Sequence, residues 1–113
     1  MSGLTLLEAD LDHKRVYAMW DDGTHHYRAN ILLEEGADIP MHAHSYAHHY
    51  RLGVGTYGLV VESPAGIREP EVLLEGGSTG NVPAWWKHHF RLVKWGGAPG
   101  RVECFWPIGS DGR

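Results

Sequence analysis

An all-β fold, arranged as an antiparallel sandwich or barrel, is what this chain of 113 residues predicts, and three observations predict it. Short segments rich in β-branched and aromatic residues follow one another from end to end. Most of the 15 glycines and 6 prolines fall between those segments, where each can serve a turn. Helical signals are nearly absent. Many short strands with regular turn signals build sandwiches and barrels rather than alternating α/β folds.

The first predicted strand covers residues 15–20, Arg-Val-Tyr-Ala-Met-Trp, and stops at Asp22-Gly23. The second, residues 25–33, places Tyr27, Ala29 and Ile31 with His25 on one face, and Arg28 and Asn30 with His26 on the other. Residues 50–62 read as one strand closed by Ser63-Pro64-Ala65-Gly66, and residues 71–75 as a short one ahead of Gly76-Gly77. Residues 85–95 form a strand that runs into Gly96-Gly97-Ala98-Pro99-Gly100. Residues 101–106 form the last, and residues 109–113 are expected to fray.

The length suits one domain, residues 1–113, with a single core. A hydrophobic content of 42% and a charged content of 21% are those of a soluble globular protein. No apolar run approaches the roughly 18 residues of a membrane span. The opening Met-Ser-Gly-Leu-Thr-Leu-Leu-Glu has no basic segment ahead of an apolar one, so a cytoplasmic location is expected. A formal charge of -4 with dispersed basic residues argues against a nucleic-acid footprint. Cys104 is the only cysteine, which excludes an internal disulfide and any multi-cysteine zinc module. It reads as a small core residue with no catalytic role.

The nine histidines carry the chemistry. Behind Gly36 come His42, His44 and His48, all of one parity, and imidazole is a common ligand of divalent first-row metals. Two ligands on one strand must be two residues apart to share a face, as His42 and His44 are. The nine include three doublets, His25-His26, His48-His49 and His88-His89, and in each doublet only one member can face inward. His48 aligns with Tyr50 and Leu52 while His49 aligns with Arg51, so His48 is the inward member. His88 aligns with Phe90 and Leu92 while His89 aligns with Arg91, which selects His88. By the same test His25, alongside Tyr27, Ala29 and Ile31, faces the pocket.

These residues resemble the cupin family. Its first motif runs glycine, five residues, His-x-His, three or four residues, usually glutamate, six residues, glycine, and Gly36, His42, His44, His48 and Gly55 match it, with histidine at the glutamate position. Its second runs glycine, five residues, proline, one residue, glycine, two residues, histidine. Gly77, Pro83 and His88 match that, with Trp85 replacing the second glycine and Leu92 standing where asparagine is frequent. The resemblance implies a double-stranded β-helix, or jelly-roll barrel, holding a divalent transition metal on His42, His44, His48 and His88. It also implies a homodimer paired through an outer sheet, in some members with exchange of N-terminal strands.

Four neutral imidazoles leave an ion its full +2 charge, whereas the commoner site with one glutamate cancels a unit, so anionic substrates are expected. Octahedral coordination would leave two positions for a chelating substrate, or for a substrate atom beside oxygen or water. Tetrahedral zinc would be closed by the same four ligands. Catalysis therefore favours iron, manganese, nickel or cobalt over zinc, with copper also compatible.

Tyr46 and Tyr50 are the candidate proton donors or substrate anchors, although core packing is the competing role for every aromatic near the motifs. Arg28, Arg51 and Arg91 fall on the polar parity and are expected in solvent. No buried carboxylate stands out as a general base. Three functions fit: an oxygenase or oxidoreductase acting on a small chelating or enolisable acid; a redox-neutral isomerase, lyase or cyclase; and a non-catalytic metabolite- or metal-binding module.

Overall fold

The computed structural model describes residues 3–112, with side chains from residue 8 onward. Ten strands follow in order: β1 (Gly3–Asp10), β2 (Arg15–Asp21), β3 (His25–Leu32), β4 (Asp38–His42), β5 (His48–Leu52), β6 (Thr56–Glu62), β7 (Val72–Glu75), β8 (Thr79–Val82), β9 (Lys87–Lys94) and β10 (Gly100–Pro107). One 3-10 turn, Leu11–His13, joins the first two. All pairings between them are antiparallel, in a six-stranded sheet ordered β1-β2-β3-β10-β5-β8 and a four-stranded sheet ordered β4-β9-β6-β7. This is the expected jelly roll, in which the chain from β3 onward crosses repeatedly between the two sheets. Among the described residues no helix is long and apolar enough to cross a membrane.

Alternation builds the core. In β5, His48, Tyr50 and Leu52 are buried while His49 and Arg51 are exposed, and in β9 His88, Phe90 and Leu92 are buried. These meet Leu32, Ile39, Tyr57, Val82 and Val102 from five other strands. Fully burying one such aliphatic or aromatic side chain contributes roughly 1.5–3 kcal/mol. The polar members His48 and His88 are carried into the interior by that periodicity.

Several boundaries differ from the sequence expectation. Residues 50–62 are two strands, because the chain crosses between sheets at Gly53-Val54-Gly55. Gly55 has φ 114, and a Cβ there would lie 2.8 Å from the Lys94 carbonyl oxygen. The strand expected over 85–95 starts at Lys87, because Trp85 has φ 65, outside strand geometry. Trp85 thus occupies the left-handed region at the position where the second motif has glycine.

β1, β4 and β8 lie outside the strands read from the sequence. β4 contains Pro40 and β8 reads Thr-Gly-Asn-Val, both weak strand signals. The C-terminal stretch is not frayed through residue 112. Ser110 N–H donates to Pro107 O, Gly112 N–H donates to Gly109 O, and Asp111 accepts from Trp106.

β3 reverses the expected parity. Its inner side carries Arg28, Asn30 and Leu32, while Tyr27 stacks on Trp20 and Phe105 on the outer side. His25 lies out there too, 6.1 Å from the Phe105 ring, and not in the pocket. Arg28 faces in, contrary to the solvated position expected for it. The physical reason is that this end of the interior is polar, while the outside of the sheet is covered by an aromatic row. Arg51 and Arg91 are outside, as expected, with side chains 57% and 42% exposed.

Candidate metal centre

The interior histidines are positioned by the last pair of the β4–β9 ladder. His42 and His88 are register partners there, and their rings lie 4.3 Å apart. His44 lies two residues past the end of β4 rather than on it, so the two ligands of the first motif do not share a strand. His44 is held instead by its carbonyl, which accepts from Trp85 N–H at 2.6 Å. Its Nε2 lies 3.0 Å from His42 Nε2. The ligand atoms of His42, His44 and His88 all lie within 4.8 Å of one another. His48, from the start of β5, places its ring 4.8 Å from His88 and 5.4 Å from His44.

Hydrogen bonding fixes how these rings face. His42 Nδ1 lies 2.7 Å from the Pro40 carbonyl oxygen and His88 Nδ1 3.2 Å from that of Trp86. A carbonyl only accepts, so each ring carries its proton on Nδ1 and keeps a lone pair on Nε2. Both nitrogens of His48 are buried without a hydrogen-bond partner among the described residues. Such groups are rare in folded proteins, because each forfeits its hydration without replacement.

Electrostatics keeps the set neutral. Burial, reinforced by the neighbouring imidazoles, depresses His44 and His48 to about 3. Burial and His42 bring His88 down to about 4, against the opposing pull of the Trp86 carbonyl. His42 is lowered by burial, with the Pro40 carbonyl opposing. Neutral imidazoles are the form that binds metals, so protons compete weakly for this site.

The donor set fits a divalent transition metal. Two nitrogens held at about 2.1 Å from one ion at right angles are about 3.0 Å apart, against about 3.4 Å at the tetrahedral angle. The 3.0 Å between His42 and His44 Nε2 lies within the range that one shared ion would allow. The rings line an enclosed cavity of about 10 Å³, shared with Arg28, Cys104 and Trp106, which has room for about one water-sized sphere. Burial pushes the Cys104 thiol up to about 12, so it stays protonated, in keeping with a core role.

Two open clefts flank this cavity. One, of about 630 Å³, is bordered by Tyr46, His48, Pro83 and Ala84. The other, of about 220 Å³, is bordered by Arg15, Arg28, Pro40 and His42. A further cleft of about 370 Å³, between Val54, Lys94 and Trp95, has no histidine in its walls.

The remaining sequence candidates separate. Tyr46 stacks on His44 at 4.9 Å and on Trp106 at 4.9 Å, at the edge of the larger cleft. Tyr50 packs edge-on against Phe90 in the core, and a Cβ on Gly80 would run into its ring. His49 stacks on Phe105 outside, and His89 lies 3.0 Å from Asp38. Sequence reasoning missed three residues. Trp106 follows the inward parity of Val102, which was legible. Asp111, which accepts from Trp106 Nε1 at 3.0 Å, sits in the tail expected to fray. Arg28 carried no signal, since polar parity pointed outward.

No protein-family model matches the chain, and no curated protein sequence matches it significantly. Solved structures do. An RmlC-like cupin from Shewanella frigidimarina superposes with a TM-score of 0.65 at 17% identity, over 91% of this chain and 83% of that one. Oxalate decarboxylase from Lactobacillus farciminis, solved as a formate complex, gives 0.73 at 13% identity over 90% of this chain. Hydroxypropylphosphonic acid epoxidase from S. wedmorenis gives 0.63 at 15% identity over 81%. The chain spans half of the epoxidase and 30% of the decarboxylase. At these identities the shared property is architecture, and by that architecture the chain is a cupin in fold.

Proposed function

We propose that this protein is a metal-dependent cupin that binds one divalent ion on His42, His44, His48 and His88 and acts as an oxygenase or oxidoreductase on a small chelating, anionic or enolisable substrate. The observation that carries the reading is His48. Its two buried nitrogens have no partner among the described residues, and its ring lies 4.8 Å from one of three histidines already gathered within ligand distance of each other. When bound, the ion would supply Lewis acidity and coordination positions for a chelating substrate. Iron, manganese, nickel, cobalt and copper suit four imidazoles with positions left for substrate, whereas tetrahedral zinc would be closed by the same four ligands.

The chain's own groups supply the rest. Carbonyls of Pro40 and Trp86 orient His42 and His88, and Tyr46 borders the larger cleft, where its hydroxyl is the candidate to deliver or accept a proton. Tyr50, held in the core between Phe90 and Gly80, shapes the wall in this reading. The similarity to a decarboxylase and an epoxidase supports both redox and redox-neutral chemistry on small acids. The partly exposed row of Trp20, Tyr27 and Phe105 on the outer sheet supports a homodimer.

Anaerobic metal analysis followed by a screen of small acids and diketones, with oxygen uptake recorded, tests the proposal. About one metal per chain and substrate-dependent oxygen uptake are expected for a single closed site. Turnover unchanged without oxygen would move the assignment to an isomerase, lyase or cyclase. Ligand binding without turnover would make it a binding module.

A further inference from the structure

Six arginines lie among the described residues, and five of them meet a carboxylate: Arg15 with Asp10, Arg51 and Arg101 with Glu103, Arg68 with Glu62, and Arg91 with Glu71. Arg28 meets none among the described residues. Its Nε is buried without a hydrogen-bond partner, its Nη2 reaches only the sulfur of Met19 at 3.5 Å, and its guanidinium lies 5.8 Å from the centre of the Tyr17 ring. A half-buried guanidinium with a buried, unpaired Nε and no carboxylate beside it is free to take an anion from outside the chain.

The position of Arg28 says where that partner sits. Arg28 is common to the walls of the enclosed histidine cavity and of the 220 Å³ cleft, and His42 is the other residue the two share. A molecule in the cleft therefore meets both the guanidinium and His42, one of the candidate ligands. Asp10, beside the cleft residue Arg15, already holds Arg15 and His13, and Glu8 holds the Tyr17 hydroxyl. With a divalent ion on neutral imidazoles, the ion and Arg28 would together carry three positive charges, and Arg28 has no carboxylate at ion-pair distance among the described residues. The cleft is smaller than the roughly 300–1,000 Å³ of sites for drug-sized ligands.

We infer that Arg28 is the anion anchor of this site, gripping the carboxylate of a small 2-oxo, 2-hydroxy or dicarboxylic acid whose second oxygen reaches the metal position. A planar guanidinium holds a carboxylate through two parallel hydrogen bonds, which fixes the acid's orientation as well as its charge. The inference rests on the metal reading above and names the substrate class it accepts.

The test measures metal content and then calorimetric binding of pyruvate, lactate, oxalate and malonate to the metal-loaded protein, with neutral pyruvamide as control. At least one acid is expected to bind 10-fold or more tightly than pyruvamide, by the ordinary strength of a charge-assisted pair. Arg28→Met should abolish that preference, and Arg28→Lys should keep part of it, with metal content equal to wild type in both. The metal-free Arg28→Met protein should melt at or above the wild-type temperature, since a half-buried guanidinium with an unpaired, buried Nε has been removed. An arginine serving structure would lower it. Metal present with acid binding unchanged in Arg28→Met overturns the anchor alone, as does failure of all four acids to bind the wild type. Wild-type protein that takes up no metal overturns the anchor and the metal reading together.

Discussion

β3 and β9 each carry a histidine doublet, and the two strands present them in opposite senses. In β9 the member aligned with apolar neighbours, His88, is buried at 2% exposure, and His89 pairs with Asp38 near the surface. In β3 the member aligned with apolar neighbours, His25, lies on the outer sheet among Tyr27 and Phe105, while Arg28 and Asn30 face the interior. Parity reasoning assumes that apolar means inside. It holds for β5 and β9, whose inward residues continue into the hydrophobic core. It inverts for β3, whose inner face borders a polar site and whose outer face is aromatic.

The largest effect should come from crossing that contrast in metal binding. His42→Ala or His88→Ala is expected to reduce metal content more than 10-fold, by the loss of one of four ligands, whereas His25→Ala and His49→Ala leave it at the wild-type level. Elemental analysis of the purified variants decides this. Full occupancy in His88→Ala would remove β9 from the site.

Acid should separate the buried from the exposed histidines next. Unfolded imidazoles titrate near 6.5, while burial holds His44 and His48 at about 3 and His88 at about 4. Between those values the unfolded chain binds more protons than the folded one, so stability is full above pH 6.5 and falls as pH drops toward 4. Thermal melts of metal-free protein across that range should fall steadily, and bound metal should hold the midpoint up. A flat profile would mean that the rings are solvated.

Packing gives a smaller contrast. Phe90→Ala, at a fully buried site, is expected to destabilise by about 3–5 kcal/mol, and the partly exposed Phe105→Ala by about 1 kcal/mol, read from chemical denaturation. Comparable losses would show that the outer aromatic row is as enclosed as the core, as in a tight dimer. The smallest effect is backbone relief: Trp85→Gly should stabilise by about 1 kcal/mol, because a non-glycine residue in the left-handed region carries about that much strain.

What the sequence disclosed follows the same division. The all-β class and the inward His48 and His88 were legible because turns and alternation are local signals, and both residues sit among apolar neighbours that share their burial. The spacing of His42 and His44 pointed to a shared site for a partly different reason than the structure gives. His44 lies beyond β4 and is held by Trp85, a contact across 41 positions of sequence that no spacing encodes. Arg28 was hidden because its burial depends on what faces it from His42 and Trp106, not on its own strand. The break at Gly55 was obscured by the strong strand signal on either side, although the close approach of Lys94 makes glycine necessary there.

The backbone hydrogen bond from Trp85 N–H to the His44 carbonyl links the residue carrying a 61% exposed indole to the residue carrying one of the candidate ligand imidazoles. Displacement of His44 on loading or emptying the centre would be transmitted to a fluorophore already standing in water. On the proposed metal reading, Trp85 emission would change as the centre is loaded or emptied, a gauge readable without any label.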